Sequence, residues 1–491
     1  MIISGVGTSI CLFFSCKEII TLNLEQMLAA IRNNSTRVSF LGFLNKYGFS
    51  LFVVLPLWTA IGMVSRPLLL VVAPLMIFFM YYRGMQDQII ILLFSSLILG
   101  DSRYAVMGMY ETLRYDLVIV ITILSILDYF YGKAGFQMTI LWILPFIVSA
   151  CMSLIDSPVG MRGFSKTMAV FLIYFVGLNF IFNYVKILNR TFVVEFTQYI
   201  HFALGLGLLF AVFFPDIAYW AGSMRYKGVF GNPNGVGAFT AFSFIFCVIV
   251  FPYLENQIDD RFKKWTWALI IFTLLLCASR NSIGTVLIFI VLRASFEGNV
   301  FRRLLMIFGL LPLFALLSGL FSFADVVEFF GLESFLRVDS IGDGSGRTLA
   351  WGWAMTEIAK YPLMGRGYTW DDILFFAYIP KEILAKGHFG GVHNSYLVFI
   401  INTGFVGIIL YFVFFFRLMF SIRTIKNMVP FMVAIMFSAM FESWLSASLN
   451  FLNTYFILIW VVTKLAEDDW DIRIQATEAM RFRAPARIFS G

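Results

Sequence analysis

The sequence is short of the residues that a soluble protein needs at its surface. Only 13% of the 491 residues are charged, whereas 60% are hydrophobic. Soluble globular domains carry about 25% charged residues, so the composition excludes a soluble globule. Cysteine and histidine are also scarce, with five and three residues. The cysteines form no CxxC pair and three of them fall in apolar runs, which argues against a zinc site and against a disulfide framework.

The start of the chain lacks the signature of a secretory signal peptide. The stretch MIISGVGTSICLFFSCK has no basic residues ahead of its apolar ones and no small-residue cleavage pattern. We therefore expect residues 1–47 to form a cytoplasmic or interfacial arm. No repeat of fixed period is present, and nothing resembles a nucleic-acid-binding module, so the net charge of +7 is better suited to anionic lipids.

Apolar runs, in contrast, are abundant. A hydrocarbon core of ~30 Å needs about 20 residues of helix, and fourteen runs approach that length. They are 48–64, 67–82, 86–100, 116–132, 138–154, 168–187, 196–214, 236–254, 265–279, 282–293, 303–324, 394–416, 428–446 and 449–464. The short runs 265–279 and 282–293 also fit one broken, re-entrant unit. We predict an all-α polytopic membrane protein with about 12–14 transmembrane helices over 48–464 and a cytoplasmic tail at 465–491.

Lysine and arginine in the short loops set the predicted orientation. With both termini inside, the inner turns hold thirteen of these cations and the outer turns hold eight. The outer ones are Arg66, Arg103, Arg114, Arg162, Lys166, Arg225, Lys227 and Arg280. This orientation places the longest hydrophilic segment, 325–393, outside the cytoplasm, where we expect a catalytic loop.

A glycine-rich stretch in this loop precedes a predicted helix. In GDGSGRTLAWGW, Gly342, Gly344 and Gly346 surround Ser345, a candidate N-cap, and Arg347 begins the helix. Glycine lets the backbone approach a ligand closely, a helix start offers N–H groups, and a guanidinium forks onto phosphate oxygens. The pattern indicates a phosphate site, and a flexible linker with a solvated arginine is the alternative.

The residues that follow predict an amphipathic helix. Trp351, Ala354, Met355 and Ile358 share one helical stripe, and Pro362 ends the helix. A helix of this kind is expected to lie on the outer leaflet of the membrane.

A second polar constellation precedes the apolar run at 236–254. In MRYKGVFGNPNGVG, Arg225 and Lys227 come before a turn that Pro233 makes rigid, and Asn232 and Asn234 flank that proline. Asparagine side chains can hydrogen-bond sugar hydroxyls or the free N–H groups of the next helix. The pattern therefore fits a ligand site and a capped turn with snorkelling cations equally well.

Three further positions place polar residues at the outer ends of apolar runs. Arg280, in CASRNSIG, falls between two runs, where an arginine is costly unless it is paired or hydrated. His393, in GGVHNSYL, precedes a span together with Asn394 and could serve as a base or merely anchor that helix. Glu442, in AMFESWLSASLN, is an acid at the end of a span and a candidate orienting partner.

In this order, the motifs resemble those of the O-antigen ligase and polymerase family. They are RxKGxFGNPN, then ASRNS, then GSGR with a WxW helix and YPLMGRG, then GVHNSYL with GxxG in the following span. The likeness covers about residues 200–416, and residues 1–195 contain no comparable motif. Members of this family are integral membrane glycosyltransferases, GT-C-like in architecture, that take a glycan from undecaprenyl diphosphate on the periplasmic side.

The resemblance also implies residue roles. The family's diphosphate-binding arginines fall on Arg280 and Arg347, and its acceptor-side histidine falls on His393. Arg225 matches the cation ahead of the Asn-Pro-Asn turn, whereas Lys227 departs from the plain pattern, so one or both could face the donor. The candidate catalytic residues are His393, Arg347 and Arg280, and the candidate substrate-binding residues are Arg225, Lys227, Asn232, Asn234, Ser345, Asn394 and Glu442.

The implied function is glycan transfer at the periplasmic face of the bacterial inner membrane. The expected donor is a glycan linked to undecaprenyl diphosphate. The acceptor is either another glycan, as in an O-antigen or exopolysaccharide polymerase, or lipid A core sugar, as in a ligase. Membrane lipids and a chain-length regulator or flippase are the further expected partners.

No cofactor or metal is expected for this reaction. The adjacent outer acids Asp371 and Asp372 do not make a recognisable metal motif, and arginines can meet the charge of a leaving diphosphate. We predict a metal-independent, inverting transfer.

A multispan flippase or transporter for lipid-linked glycans is the rival interpretation. Such a protein distributes charges through the membrane midplane and often shows an internal two-fold repeat. Here the polar residues gather at one face and in one long loop, which favours an enzyme.

Overall fold

The computed structural model describes residues 40–483, except for 103, 221–224, 255–257, 299–346, 382 and 384–390. Over these residues the chain forms helices and turns without a β-strand, apart from one isolated bridge between Tyr219 and Tyr226. The α-helices of this part are α1 Phe40–Gly48, α2 Leu55–Val64, α3 Arg66–Tyr82, α4 Gln86–Gly100, α5 Tyr110–Phe130, α6 Leu144–Met152, α7 Gly160–Phe175, α8 Phe182–Phe213, α9 Pro215–Ala218, α10 Pro233–Val250, α11 Asp260–Cys277, α12 Arg280–Glu297, α13 Arg347–Lys360, α14 Trp370–Ala377, α15 Ser395–Met419, α16 Ile425–Phe441 and α17 Phe451–Arg483.

Five helical segments of the described residues are long and apolar enough to cross a membrane. They are Gly42–Val64, Gly160–Leu188, Arg190–Phe213, Pro233–Leu254 and Ser395–Met419, and four shorter apolar helices accompany them. The prediction of an all-α polytopic membrane protein is confirmed. Thirteen of the fourteen predicted runs coincide with helical segments, and 303–324 lies outside the described residues.

The predicted end of an N-terminal arm at residue 47 falls inside a helix. Helix α1 begins at Phe40 and runs through a π-helical turn, Phe49–Val54, into α2. Tyr47 is fully buried and its hydroxyl donates to the carboxylates of Asp87 and Glu195. These contacts hold Tyr47 against the bundle, within the candidate membrane span Gly42–Val64.

The doubtful runs 265–279 and 282–293 form two separate helices, α11 and α12, of 18 residues each. Each is about 27 Å long at 1.5 Å per residue. Ala278, at φ +47°, ends α11 in the left-handed conformation, and both helices pack against α10.

Helix α12 packs along α16, and the start of one meets the end of the other. The Asn281 side chain donates to the Ser438 carbonyl at 3.2 Å. Helix α16 ends at Phe441, five residues before the predicted end of its span, because Glu442 is extended (φ −144°, ψ 146°). Residues 442–450 therefore form a loop, here called the 442–450 loop, ahead of α17.

Helix α15 is broken at Gly404, and the turn 362–367 docks into the break. Gly404 has φ +66° and ψ −174° inside the helix. Four backbone hydrogen bonds of 2.8 to 3.1 Å join the turn to residues 401–406: Arg366 N to Ile401 O, Gly367 N to Asn402 O, Phe405 N to Pro362 O, and Val406 N to Leu363 O. Irregular backbone in a membrane protein must be satisfied by other protein groups, and this turn provides them.

The amphipathic helix is present as α13, but its apolar face packs on protein. Ala350 and Ala354 are fully buried and Ile358 nearly so, in a small core with residues of α14 and α15. Met355, which the sequence placed on the buried stripe, is 53% exposed. The apolar stripe of α13 therefore packs mainly against α14 and α15, and the position of this helix on the outer leaflet stays a prediction.

Candidate active site

Four helices begin near the place where α16 ends. Helices α10, α12, α13 and α15 start at Pro233, Arg280, Arg347 and Ser395, and Glu442 follows the last residue of α16. Helix starts carry unpaired backbone N–H groups and the positive end of the helix dipole. Their convergence on one acidic residue creates a site suited to an anion.

Glu442 links three of the predicted motifs. Its Oε1 accepts from the Asn234 side chain at 2.8 Å and from Arg347 Nη2 at 3.4 Å. Its Oε2 lies 3.4 Å from His393 Nδ1. The Ser395 hydroxyl donates to the Glu442 carbonyl at 2.7 Å and holds its backbone. The predicted orienting partner thus contacts residues from 47 to 208 positions away in sequence.

The Glu442 carboxylate is ionised at this position. Burial alone raises its pKa, but the hydrogen bonds with His393 and Asn234 and the nearby charge of Arg347 outweigh that effect, and the pKa lies below its ordinary value. The side chains of Arg347 and His393 remain 24% and 25% exposed, so a ligand can reach both.

His393 is held in an uncommon backbone conformation at φ +47°. Such a conformation costs energy in a non-glycine residue and is typical of functional sites. The contact of Nδ1 with a carboxylate favours the tautomer that carries the proton on Nδ1. In that tautomer Nε2 is the basic nitrogen.

Arg225 connects the Asn-Pro-Asn turn to the turn before Arg280. Its Nη2 donates to Asn234 Oδ1 at 2.9 Å, and its Nε donates to the Cys277 carbonyl at 3.2 Å. Arg280 is the first residue of α12, three positions after Cys277, and is partly buried. The structure therefore brings Arg225, Asn234, Arg347, His393 and Glu442 into one hydrogen-bonded chain, with Arg280 at its edge.

Other predicted substrate-binding residues have local structural partners. Asn232 caps α10, because its Oδ1 accepts from Gly235 N at 2.7 Å. Asn394 caps α15 by accepting from the N–H groups of Tyr396 and Leu397. The Lys227 ammonium lies over the Tyr104 ring, 4.6 Å from its centroid. Ser345 lies outside the described residues.

Sequence reasoning missed a polar cavity on the other side of the 442–450 loop. Asp371 and Asn402 form a reciprocal pair there, with Asn402 Nδ2 donating to Asp371 Oδ1 at 2.8 Å. The sequence shows each residue separately: Asp371 is an acid in the long loop, and Asn402 is an amide inside an apolar run. Only the break in α15 brings them together.

Comparison with known proteins identifies part of the chain. Residues 265–412 match the family model described as O-antigen ligase. No curated protein matches the chain. The matched range includes Arg280, Arg347 and His393. Glu442, which contacts Arg347 and His393, and Asn234, which contacts Glu442, flank it on either side. The match at residues 265–412 supports the family predicted from the motifs.

Proposed function

We propose that this protein transfers a glycan from undecaprenyl diphosphate to a sugar hydroxyl at the periplasmic face of the bacterial inner membrane. The observation that carries the proposal is the contact of one carboxylate, Glu442, with both Arg347 and His393. Through this contact Arg347, a cation that can stabilise the leaving diphosphate, lies near His393, a base that can accept the proton of the attacking hydroxyl. The family match supports glycan transfer, because the matching model is described as O-antigen ligase.

The donor diphosphate binds at the four helix starts. Arg347 uses one N–H contact for Glu442 and has further donors in its planar fork for phosphate oxygens. Arg280, at the start of α12, adds a second cation. Glu442 offsets part of the positive charge of Arg347 when no donor is bound.

His393 acts as the general base in a single displacement. The acceptor hydroxyl oxygen attacks the anomeric carbon, and its proton passes to His393 Nε2. The bond between that carbon and the diphosphate oxygen breaks, and undecaprenyl diphosphate leaves with the electron pair. Fixed cations stabilise the charge that develops on the phosphate oxygens, and the anomeric configuration inverts.

Purified His393→Gln protein tests this role. We expect binding of a lipid-diphosphate glycan to persist and the transfer rate to fall by roughly 10²–10⁴, the usual contribution of a general base. His201→Gln is the matched control, because His201 lies in α8, where its ring stacks on Phe262. Wild-type turnover should also continue in EDTA.

Two results contradict the proposal. Transfer by His393→Gln at the wild-type rate removes the histidine from the chemistry. Movement of the intact lipid-linked glycan across a vesicle membrane, with no new glycosidic bond formed, identifies a flippase instead.

A further inference from the structure

A polar cavity of about 150 Å³ lies between the 442–450 loop, the start of α14, the end of α4 and the start of α5. It is distinct from the Glu442 site, although Ser443, the next residue, lines it. Three carboxylates face it, those of Asp101, Asp371 and Asp372, against two cations, Arg114 and Lys166. The volume is sufficient for several water molecules or for a sugar ring.

An unpartnered hydroxyl lines this cavity. Thr369 is 3% exposed, and its Oγ1 has no hydrogen-bond partner in the described part of the chain. Thr369 is the residue before α14 at φ +80°, and its side chain does not cap that helix. A buried hydroxyl without a partner costs about 1–3 kcal/mol, so a ligand that supplies the partner gains binding energy. Arg114 also lines the cavity, and its Nε is likewise buried without a partner in the described part of the chain.

The other polar groups of the cavity are fixed in position. Asp371 is held by Asn402 in the broken segment of α15. Lys166 lies 3.5 Å from Asp372. Arg114 Nη1 donates to the Leu449 carbonyl at 3.1 Å, which ties the cavity wall to the 442–450 loop.

We propose that this cavity is a carbohydrate subsite that binds hydroxyl groups of a glycan substrate through Thr369, Asp371 and Arg114. Carboxylates and a neutral hydroxyl suit sugar hydroxyls, which both donate and accept. A phosphate is disfavoured, because the acidic residues leave the cavity without a net positive charge. This proposal rests on the proposed function in one respect only, namely that the ligand is a glycan.

The sugar bound there comes either from the acceptor or from the donor glycan. Both have the same hydroxyl chemistry, and the cavity is joined to the Glu442 site by one peptide bond in the 442–450 loop. A sugar held in the cavity would therefore lie near the Glu442 site.

Binding is tested without turnover, by the thermal stabilisation that a ligand gives to the purified protein in detergent. One set of samples receives free core oligosaccharide released from lipid A, and another receives a glycan linked to undecaprenyl diphosphate. The variants are Thr369→Val, which keeps the shape and removes the hydroxyl, and Thr369→Ser, which keeps the hydroxyl. Thr356→Val is the control, since Thr356 is exposed on α13 and bonds only the Trp353 carbonyl.

We expect Thr369→Val to weaken binding of one glycan about 3- to 10-fold, and Thr369→Ser to restore it. The unliganded Thr369→Val protein should unfold at or above the wild-type temperature, because the lost hydroxyl had no partner. An effect on the oligosaccharide alone assigns acceptor sugars, and an effect on the lipid-linked glycan alone assigns donor sugars. Unchanged binding of both glycans, or equal loss in Thr356→Val, overturns the subsite.

The two proposals can fail separately. Absence of transfer by wild-type protein that still binds glycan through Thr369 contradicts only the proposed function. Normal transfer with wild-type glycan affinity in Thr369→Val contradicts only the subsite.

Discussion

Arg347 provides both charge and geometry at the site. Its guanidinium is partly buried and held 3.4 Å from Glu442, at the first residue of α13. Lysine retains the charge but lacks the planar fork that pairs with two phosphate oxygens. We expect Arg347→Lys to lose about 10²–10³ in rate, comparable to the loss of one preorganised transition-state donor. Steady-state transfer rates measure this loss, and Lys360→Arg on the same helix is the control.

Wild-type turnover by Arg347→Lys would mean that the charge alone matters. Loss of turnover in Lys360→Arg would show that α13 tolerates no change of its cations, and the comparison would carry no information about phosphate.

Asp371 makes the stability of the outer segment depend on pH. Burial first, and then the charge of Asp372, raise the pKa of Asp371 to about 7 from its ordinary value of 3.8. The folded protein therefore binds this proton more tightly than the unfolded chain. Its contribution to stability is fully present below about pH 4 and is lost as the pH rises to about 7.

Asp371→Asn should remove this dependence while keeping the amide pair with Asn402. We expect the unfolding temperature of the variant to fall less than that of wild type between pH 4 and pH 7. Other groups titrate in the same interval, so the difference between the two proteins is the quantity to measure. Parallel curves would show that Asp371 is already ionised at low pH.

At the scale of elements, the site depends on the turn 362–367 in the broken helix α15. A Cβ on Gly404 would lie 2.1 Å from the Leu363 carbonyl oxygen, and φ at Gly404 is +66°. Gly404→Ala should therefore displace the turn and destabilise the protein by about 2 kcal/mol or more. Thermal unfolding in detergent measures the loss.

Gly205→Ala is the matched control for this substitution. Gly205 lies within α8, and its Cβ would meet nothing within 4 Å. Alanine there should be neutral or stabilise the helix by about 0.5–1 kcal/mol. Equal unfolding temperatures for both variants would show that the docked turn contributes nothing to stability.

Most element positions could be predicted from the sequence, because long apolar runs in a membrane protein have to form helices. The break in α15 could not. Gly404 and Gly407 read as small residues for close helix packing, and only the docked turn shows that Gly404 interrupts the helix. For the same reason, the contact between Asp371 and Asn402 could not be predicted from the sequence.

The candidate site was predictable as a set of residues but not as an arrangement. Arg347 and His393 were recognisable from their motifs, and Glu442 from its position at the end of a span. Their contacts depend on how α12 packs along α16, which places residues far apart in sequence side by side. Asn232 and Asn394, in contrast, each precede a helix and cap it. A cap of this kind can be predicted from the local sequence alone.

At the scale of the whole molecule, the proposal requires α14 and the start of α16 to lie on opposite sides of the membrane. Helix α15 joins the two regions with 25 residues, enough to cross the hydrocarbon core. Phe376 in α14 is 93% exposed, and Lys426 in α16 is also exposed. Single cysteines at these positions, in a chain whose five native cysteines are replaced, report the orientation.

An impermeant thiol reagent added to intact spheroplasts should label Phe376→Cys and spare Lys426→Cys until the membrane is opened. The opposite labelling would place the Glu442 site on the cytoplasmic side and remove the periplasmic donor from the proposal.

The stereochemistry of the product tests the central claim most directly. The measurement is the anomeric configuration of the new linkage, determined by NMR after wild-type protein acts on a lipid-diphosphate glycan of known configuration. A single displacement with His393 as base and Arg347 at the leaving diphosphate predicts complete inversion. Retention of the donor's configuration would require a covalent intermediate or two displacements, and would contradict the one-base mechanism at Glu442.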